Sequence, residues 1–452
     1  MPWQGLLNIQ GISSDAGARY LASQGGSSSA AAGNSSFVQR TNDMLQLDGQ
    51  RYTYQGFNSY YMLQSASYPG GQSDVTAVMD LAQRLGLTVI RTWAFSDGTQ
   101  EAFPLQVQLG QLNTTILQAL DYVVNQAEQK GIKLILTLTN YFADYGGMQQ
   151  YVEWTNTSNA STVDQFYTDS NLQSAYKDYV TAIILRRNSI TNILYRDDPN
   201  IFAWDLVNEP ANPGDASGDA LYDWLDMMST YVKSIDPNHL VYYGTPAYFG
   251  ASSPPELLTL NGNYSGQYSP YGALPYDSAC QGEDWARNIA IPTIDVASFH
   301  VYPVTGFNGD SLTNDRMTAR LQVASKAGKP MVIDEFNSKA PTSARNAFLQ
   351  QIFGLITYEN SPVVGTNIWM LADDTYPNYD QFEIYGDQNG FAQPLPPGPA
   401  LTSDTAVALA RQAIFRGFVA ADACIRSRYQ ANDFVNGWQE TLEILSTNRT
   451  FT

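Results

Sequence analysis

The stretch Ile201-Phe202-Ala203-Trp204-Asp205-Leu206-Val207-Asn208-Glu209-Pro210 reads as a buried β-strand that Pro210 closes. Before it, Tyr176, Tyr179, Val180, Ile183 and Ile184 recur at helical spacing; after it, Leu221, Trp224, Leu225, Met228 and Val232 do the same. A strand between two amphipathic helices is the unit of a parallel sheet with crossover helices. Working outward, further strand-like runs fall at Tyr52–Met62, Leu87–Phe95, Lys133–Asn140, His239–Thr245, Ile294–Pro303, Pro330–Phe336 and Val363–Leu371. A third helical stripe, Ile116, Leu120, Val123 and Ala127, has Gly131 as its stop. Eight such units predict an α/β chain folded as a single (β/α)8 TIM barrel. Its extended βα loops span 141–172, 246–285 and 372–400. An open doubly wound sheet is the alternative, but its Gly-rich phosphate loop is missing.

The chain has 452 residues, enough for one large core or two domains. No linker separates a second domain. Residues 1–36 form a low-complexity leader expected to be flexible, 37–420 the barrel, and 421–452 a C-terminal extension packed on it. Trp438 in that extension reads as a packing residue. Charged residues are 15%, against about 25% in average soluble proteins. Aromatic residues are 12%, led by 29 Tyr, which suits neutral, hydroxyl-rich ligands. A net charge of −19 disfavours nucleic acid and anionic membrane surfaces as partners.

Cys280 and Cys424 either stay unpaired or form one bridge in an oxidising compartment. N-x-Ser/Thr sequons at Asn34, Asn113, Asn156, Asn159, Asn263 and Asn448 tilt the expectation towards a secreted glycoprotein, although no signal peptide is visible. A monomer is expected.

In such barrels the active site lies at the C-terminal ends of the strands. Those ends carry Asn58, Arg91, Asn140, Asn208-Glu209, His300 with Tyr302, Glu335 and Trp369. With only His239 and His300, a multi-histidine metal site is impossible. No G-x-S-x-G elbow is present for a serine nucleophile. Two carboxylates without a metal suit glycosidic cleavage: one donates a proton to the leaving oxygen, and the other attacks the sugar or activates water. Asp334 competes with Glu335. Neighbours on a regular strand point to opposite faces, so only one of them is expected in the site, and Asp334 is taken to face away. A guanidinium near Glu335 is expected to lower its pKa. Trp369 lies in an apolar strand, where a Trp is more often core. Asn58, Tyr60 and Tyr141 either line the cleft or shape its rim, and Tyr242 and Tyr243 look like packing.

Trp204-Asp205-Leu206-Val207-Asn208-Glu209-Pro210 resembles the acid/base strand of the retaining glycosidases of glycoside hydrolase family 5, and most closely the endo-β-1,4-mannanases of plants and fungi. Three further stretches resemble the same enzymes: Tyr145-Gly146-Gly147-Met148-Gln149-Gln150-Tyr151-Val152-Glu153-Trp154, Tyr195-Arg196-Asp197-Asp198-Pro199-Asn200-Ile201-Phe202-Ala203-Trp204, and Tyr231-Val232-Lys233-Ser234-Ile235-Asp236-Pro237-Asn238-His239-Leu240-Val241. The resemblance runs from about Leu47 to Tyr385. It implies Glu209 as general acid/base and Glu335 as nucleophile. It implies Asn208 on the sugar 2-hydroxyl, Arg91 and Tyr302 on Glu335, His300 beside Glu209 and Trp369 as a sugar platform. It implies no cofactor, and a neutral polysaccharide of the mannan type as substrate. Another β-glucan, transglycosylation and a non-catalytic carbohydrate-binding barrel are the alternatives. The chain departs from the family pattern at Tyr61, Tyr141, Asp205, Ala211, Thr245-Pro246-Ala247-Tyr248-Phe249, Val304-Thr305-Gly306 and Asn337. These positions put substrate choice, rather than catalysis, in question.

Overall fold

A computed structural model describes residues 36–98, 102–155, 163–261, 281–303, 309–339, 342–357, 361–373, 376–377 and 382–385, with backbone alone for 309–314, 342–344 and 357. The leader up to residue 35, Cys280, Cys424, Trp438, the 421–452 extension and the sequons at Asn34, Asn156, Asn159, Asn263 and Asn448 lie outside the described residues.

Eight parallel strands form one sheet. They are β1 (Tyr54–Asn58), β2 (Val89–Trp93), β3 (Lys133–Thr137), β4 (Ile201–Asn208), β5 (Leu240–Gly244), β6 (Ala297–Val301), β7 (Met331–Phe336) and β8 (Val363–Ile368). The ladder runs 5-4-3-2-1-8-7-6. It closes into a barrel where β5 meets β6: Asp295 N–H donates to the Val241 carbonyl at 2.7 Å, and His300 N–H donates to the Thr245 carbonyl at 2.8 Å. Each sequence-predicted run contains one of these strands, trimmed at its ends. The helices Thr114–Gln129, Ser170–Ile184 and Asp219–Ile235 carry the three apolar stripes against the outside of the sheet. The first two begin at capping side chains, Asn113 and Asp169, which accept backbone N–H groups of the opening turn. Gly131 follows the first of them at φ +68°, where a Cβ would be strained.

A small antiparallel sheet precedes β1, built from Gln39–Thr41, Met44–Leu47 and Gln50–Tyr52. Val38 and Leu45 join Tyr54, Val89, Phe202, Leu240, Val332 and Val364 in a second, smaller apolar cluster made largely from barrel-strand residues. Strands this short carry no readable alternation, so sequence reasoning placed the start of β1 too early and missed them.

Among several register irregularities in the barrel strands, two bear on the site. Along β4, Asp205 pairs with Tyr242 and Asn208 with Gly244, so three residues of β4 oppose two of β5. Leu206 and Val207 both belong to the outer core, and Asn208 returns to the inside. The Tyr176 hydroxyl donates to the Leu206 carbonyl at 2.6 Å, satisfying an acceptor in the bulge. Along β7, Ile333 pairs with Phe299 and Glu335 with His300, which leaves Asp334 as the extra residue.

Candidate active site

Arg91 rises from β2 into the barrel and is 1% exposed. Its Nη1 donates to Glu335 Oε1 at 2.7 Å and to Asn58 Oδ1 at 3.2 Å. Its Nη2 donates to Asp205 Oδ2 at 2.8 Å and to Asn208 Oδ1 at 2.7 Å. Nε faces Asp205 Oδ2 at 3.0 Å and Asp334 Oδ2 at 3.1 Å. One guanidinium therefore holds three buried carboxylates. Burial works against its charge, but the fields of Asp334, Asp205 and Glu335 raise its pKa well above the usual arginine value.

Glu335, at the end of β7, also accepts the Tyr302 hydroxyl on Oε2 at 2.8 Å. The two donors fix both carboxylate oxygens. Arg91 lowers this pKa, as the sequence led one to expect, but depth decides the net direction. Burial raises the Glu335 carboxyl, and the opposing pull of His300 and Arg91 does not fully offset it. Glu209 follows β4 in a left-handed backbone conformation, φ +47°, with its N–H on the Gly244 carbonyl at 2.7 Å. A non-glycine residue held there is a strained position of the kind that clusters at functional sites. Its side chain is 21% exposed. Oε1 meets His300 Nδ1 at 2.7 Å, and the same nitrogen lies 3.4 Å from Glu335 Oε2. Burial opposes charge on His300, yet Glu335, Asp334 and Glu209 push its pKa up to about 10.

Carboxylate oxygens of Glu209 and Glu335 and a ring nitrogen of His300 all lie within 4.8 Å of one another. Because Nδ1 is hydrogen-bonded to Glu209, we read this group as proton-sharing rather than ion-holding. Retaining glycosidases hold their two carboxyl groups about 5–5.5 Å apart, and inverting ones about 6.5–9.5 Å. An approach of single oxygens within 4.8 Å agrees with the shorter class.

The remaining candidates divide. Asn208 presents its oxygen to Arg91 and its Nδ2 to Asn140 Oδ1 at 3.1 Å, so its amide is locked at the site's edge. Asn140, 1% exposed, braces Asn208 rather than reaching a sugar. Asn58 is equally buried. Its Nδ2 donates to the Asp334 and Asn367 carbonyls and its oxygen receives Arg91, so it too is a brace. Both amides are buried braces, and Asn58 takes the shaping role that was one of its two readings from sequence. Trp369 is half-buried, and Tyr60 stacks on it at 5.4 Å with 8° between the rings. Tyr60 also meets Trp93 at 4.8 Å, and its hydroxyl is 2.7 Å from that of Tyr376. These rings make an aromatic wall on the β8–β1–β2 side.

Sequence reasoning missed Asp205, Tyr242 and Asp334 as parts of the site. Asp205 joins Arg91 to Thr137 Oγ1 at 2.7 Å and to the Gly244 N–H at 2.9 Å. Asp334 does not face away. Alternation from the inward Val332 places it inside the barrel, and the β7 bulge brings Glu335 in beside it; the Tyr242 hydroxyl donates to Asp334 at 3.0 Å. A buried arginine demands carboxylate partners, and that demand was the available signal for both acids.

Gly244 closes the floor of the site. A Cβ there would stand 2.5 Å from Arg91 Nη2 and 3.1 Å from His300 Nε2, and neither group has room to retreat. Gly244→Ala is expected to lower kcat at least a hundredfold while the protein stays folded; steady-state rates beside a circular-dichroism melt check it.

A closed (β/α)8 barrel with two glutamates this close at its strand ends, one held by arginine and tyrosine, defines a glycoside hydrolase. Residues 35–258 match the family described as GH family 5 beta-mannosidase-like. The chain is 35% identical over 381 residues to mannan endo-1,4-beta-mannosidase 2 of Oryza sativa subsp. japonica, covering 80% of this chain and 82% of that protein. It is 33% identical to the Arabidopsis thaliana mannan endo-1,4-beta-mannosidase 2, covering 75% and 78%. The fold superposes on the endo-1,4-beta-D-mannanase of Thermotoga petrophila with a TM-score of 0.63 at 30% identity, over 80% of this chain and all of that one. For the endo-1,4-beta-mannanase of Rhizomucor miehei the TM-score is 0.65 at 28% identity, covering 83% of this chain and all of the other. The chain belongs to glycoside hydrolase family 5.

Proposed function

We propose that this enzyme hydrolyses internal β-1,4 linkages of mannan-type polysaccharide by double displacement. The observation that carries the mechanism is the Glu209–Glu335 pair, with oxygens within 4.8 Å and Glu335 held by Arg91 and Tyr302. In the first step Glu335 attacks the anomeric carbon while Glu209 gives its proton to the glycosidic oxygen. The bond to the leaving chain breaks, and a glycosyl ester forms on Glu335. In the second step Glu209, now a carboxylate, takes a proton from water as that water attacks the same carbon. The ester bond to Glu335 breaks and the configuration is retained. The locked amide of Asn208 serves the sugar 2-hydroxyl, and the half-buried Trp369 serves as the platform.

The departures from the family pattern at the buried Tyr61 and Tyr141 and at the 245–249 loop, which shape what backs the cleft, favour weaker discrimination between mannose and glucose units than a typical mannanase has. Hydrolysis of mannan, glucomannan, galactomannan, soluble cellulose, xylan and laminarin, with Glu335→Ala as the blank, tests the reading. Highest activity on mannan or glucomannan is expected, and strong activity on cellulose or laminarin with none on any mannan overturns it.

The same reading makes the protein a secreted glycoprotein monomer that acts on cell-wall polysaccharide, without nucleic-acid or membrane partners. Asn113 supports it: its Oδ1 caps a helix, which leaves Nδ2 for a glycan. Mass spectrometry of Asn113 in protein from its natural source tests this, and an unmodified, intracellular protein refutes it.

A further inference from the structure

Asp334 takes no part in the double displacement, yet it stands inside the barrel among the charged groups of the site. Strict alternation along β7 would put Asp334 inside and Glu335 outside, and the bulge brings both in. Asp334 is fully buried. Its carboxylate accepts Asn367 Nδ2 at 2.7 Å and the Tyr242 hydroxyl at 3.0 Å, and it pairs with Arg91 Nε at 3.1 Å. On its remaining side stands His300 Nε2, 3.8 Å from Oδ2. That nitrogen is buried, has no hydrogen-bond partner, and finds its nearest recorded opposite charge in Asp334. The other ring nitrogen holds Glu209.

We propose that Asp334 is a positioning residue which keeps a proton on the His300–Glu209 pair, acting through the Nε2 edge of the imidazole. An anion on that edge holds a hydrogen on Nε2, so Nδ1 stays turned to Glu209 and the pair keeps its shared proton into the alkaline range. Besides Asp334, Glu209 at the end of β4 and Glu335 on β7 face His300; Arg91 on β2, Tyr242 on β5 and Tyr302 beyond β6 act on it through these carboxylates. Burial opposes a charge on His300, and the carboxylates outweigh it: the pKa rises to about 10. A raised base loses its proton only as pH climbs through the raised value, so the alkaline limb of activity belongs to this pair. Asp334 itself stays ionised: burial raises its carboxyl, but Arg91 and then His300 hold it below the usual aspartate range.

The inference rests on the proposed role of Glu209, but its primary readout needs no substrate. The chain has two histidines, so imidazole nitrogen spectra contain two rings. In the wild-type enzyme the His300 ring should carry hydrogens on both nitrogens at pH 8 and titrate near 10. In Asp334→Asn the midpoint should fall by a unit or more, and the alkaline limb of kcat/KM should move with it. The rate at the wild-type limb should drop about tenfold while KM changes little. Tyr242→Phe removes a donor from Asp334 without touching its charge, and should leave the limb in place or move it upward. A neutral His300 at pH 8 in the wild type overturns the proposal even if Asp334→Asn does not fold. So does a folded Asp334→Asn whose His300 titration is unmoved, or a downward limb in Tyr242→Phe. Failure on mannan with the expected titrations would instead overturn the substrate reading alone.

Discussion

Glu335→Ala is expected to lower turnover about 10⁴-fold or more, the scale seen when a nucleophile is removed from a preorganised site. The loss follows from geometry. Both oxygens of Glu335 are held, by Arg91 at 2.7 Å and Tyr302 at 2.8 Å, and no other carboxylate among the described residues shares that position. Asp334 cannot substitute, because it lies beneath the site with its oxygens on Tyr242, Asn367 and Arg91. Azide should restore part of the rate with an activated aryl mannoside and give the α-mannosyl azide, since it enters from the face that Glu335 vacates. Glu209→Ala with azide should give the β-azide instead. Product NMR reads both. A Glu335→Ala enzyme within tenfold of wild type, or net inversion by the wild type, would overturn the assignment of nucleophile and mechanism.

Arg91→Met should damage both stability and activity. Removing one partner of a buried ion pair costs about 3–5 kcal/mol, because an uncompensated charge is left behind. Here three carboxylates lose the same cation. The cost should depend on pH with a definite sign. Without Arg91, burial raises the folded-state pKa values of Asp205, Asp334 and Glu335 above their unfolded values. The native state then binds more protons than the unfolded state, so stability falls as pH rises above about 4. Thermal unfolding should show a modest deficit at pH 4.5 and a large one at pH 8. Equal deficits at both would remove Arg91 from the role of shared counter-ion. Arg91→Lys should recover little activity, since a single ammonium cannot present the fork that reaches Glu335, Asn208 and both aspartates at once.

The roles of Asn58 and Asn140 show where strand-end reasoning stops. Both were legible as polar residues at the active face, and both stand there. Whether such a residue touches a ligand or braces a neighbour depends on how far it projects past the barrel's top layer. That depth is set by stagger between strands and is not written in any local pattern. Tyr242 is the converse case. It looked like packing, and it is packed, but its hydroxyl reaches Asp334 across the barrel.

The eight strands, the three apolar helical stripes and the pairing of Glu209 with Glu335 were legible from sequence alone. Strand and helix write their periods into neighbouring residues, and a barrel of parallel strands brings all their C-terminal ends to one face. The small sheet before β1, the bulges in β4 and β7, the presence of both Asp334 and Glu335 inside the barrel and the raised carboxyl of Glu335 were decided by tertiary structure. A bulge exists only relative to the strands on either side, so Glu335 joins Asp334 on the inside because of β6 and β8 rather than its own neighbours. A buried carboxyl takes its pKa from depth and from charges brought in by other strands. Arg91, His300 and Glu209 reach Glu335 only once the barrel has closed.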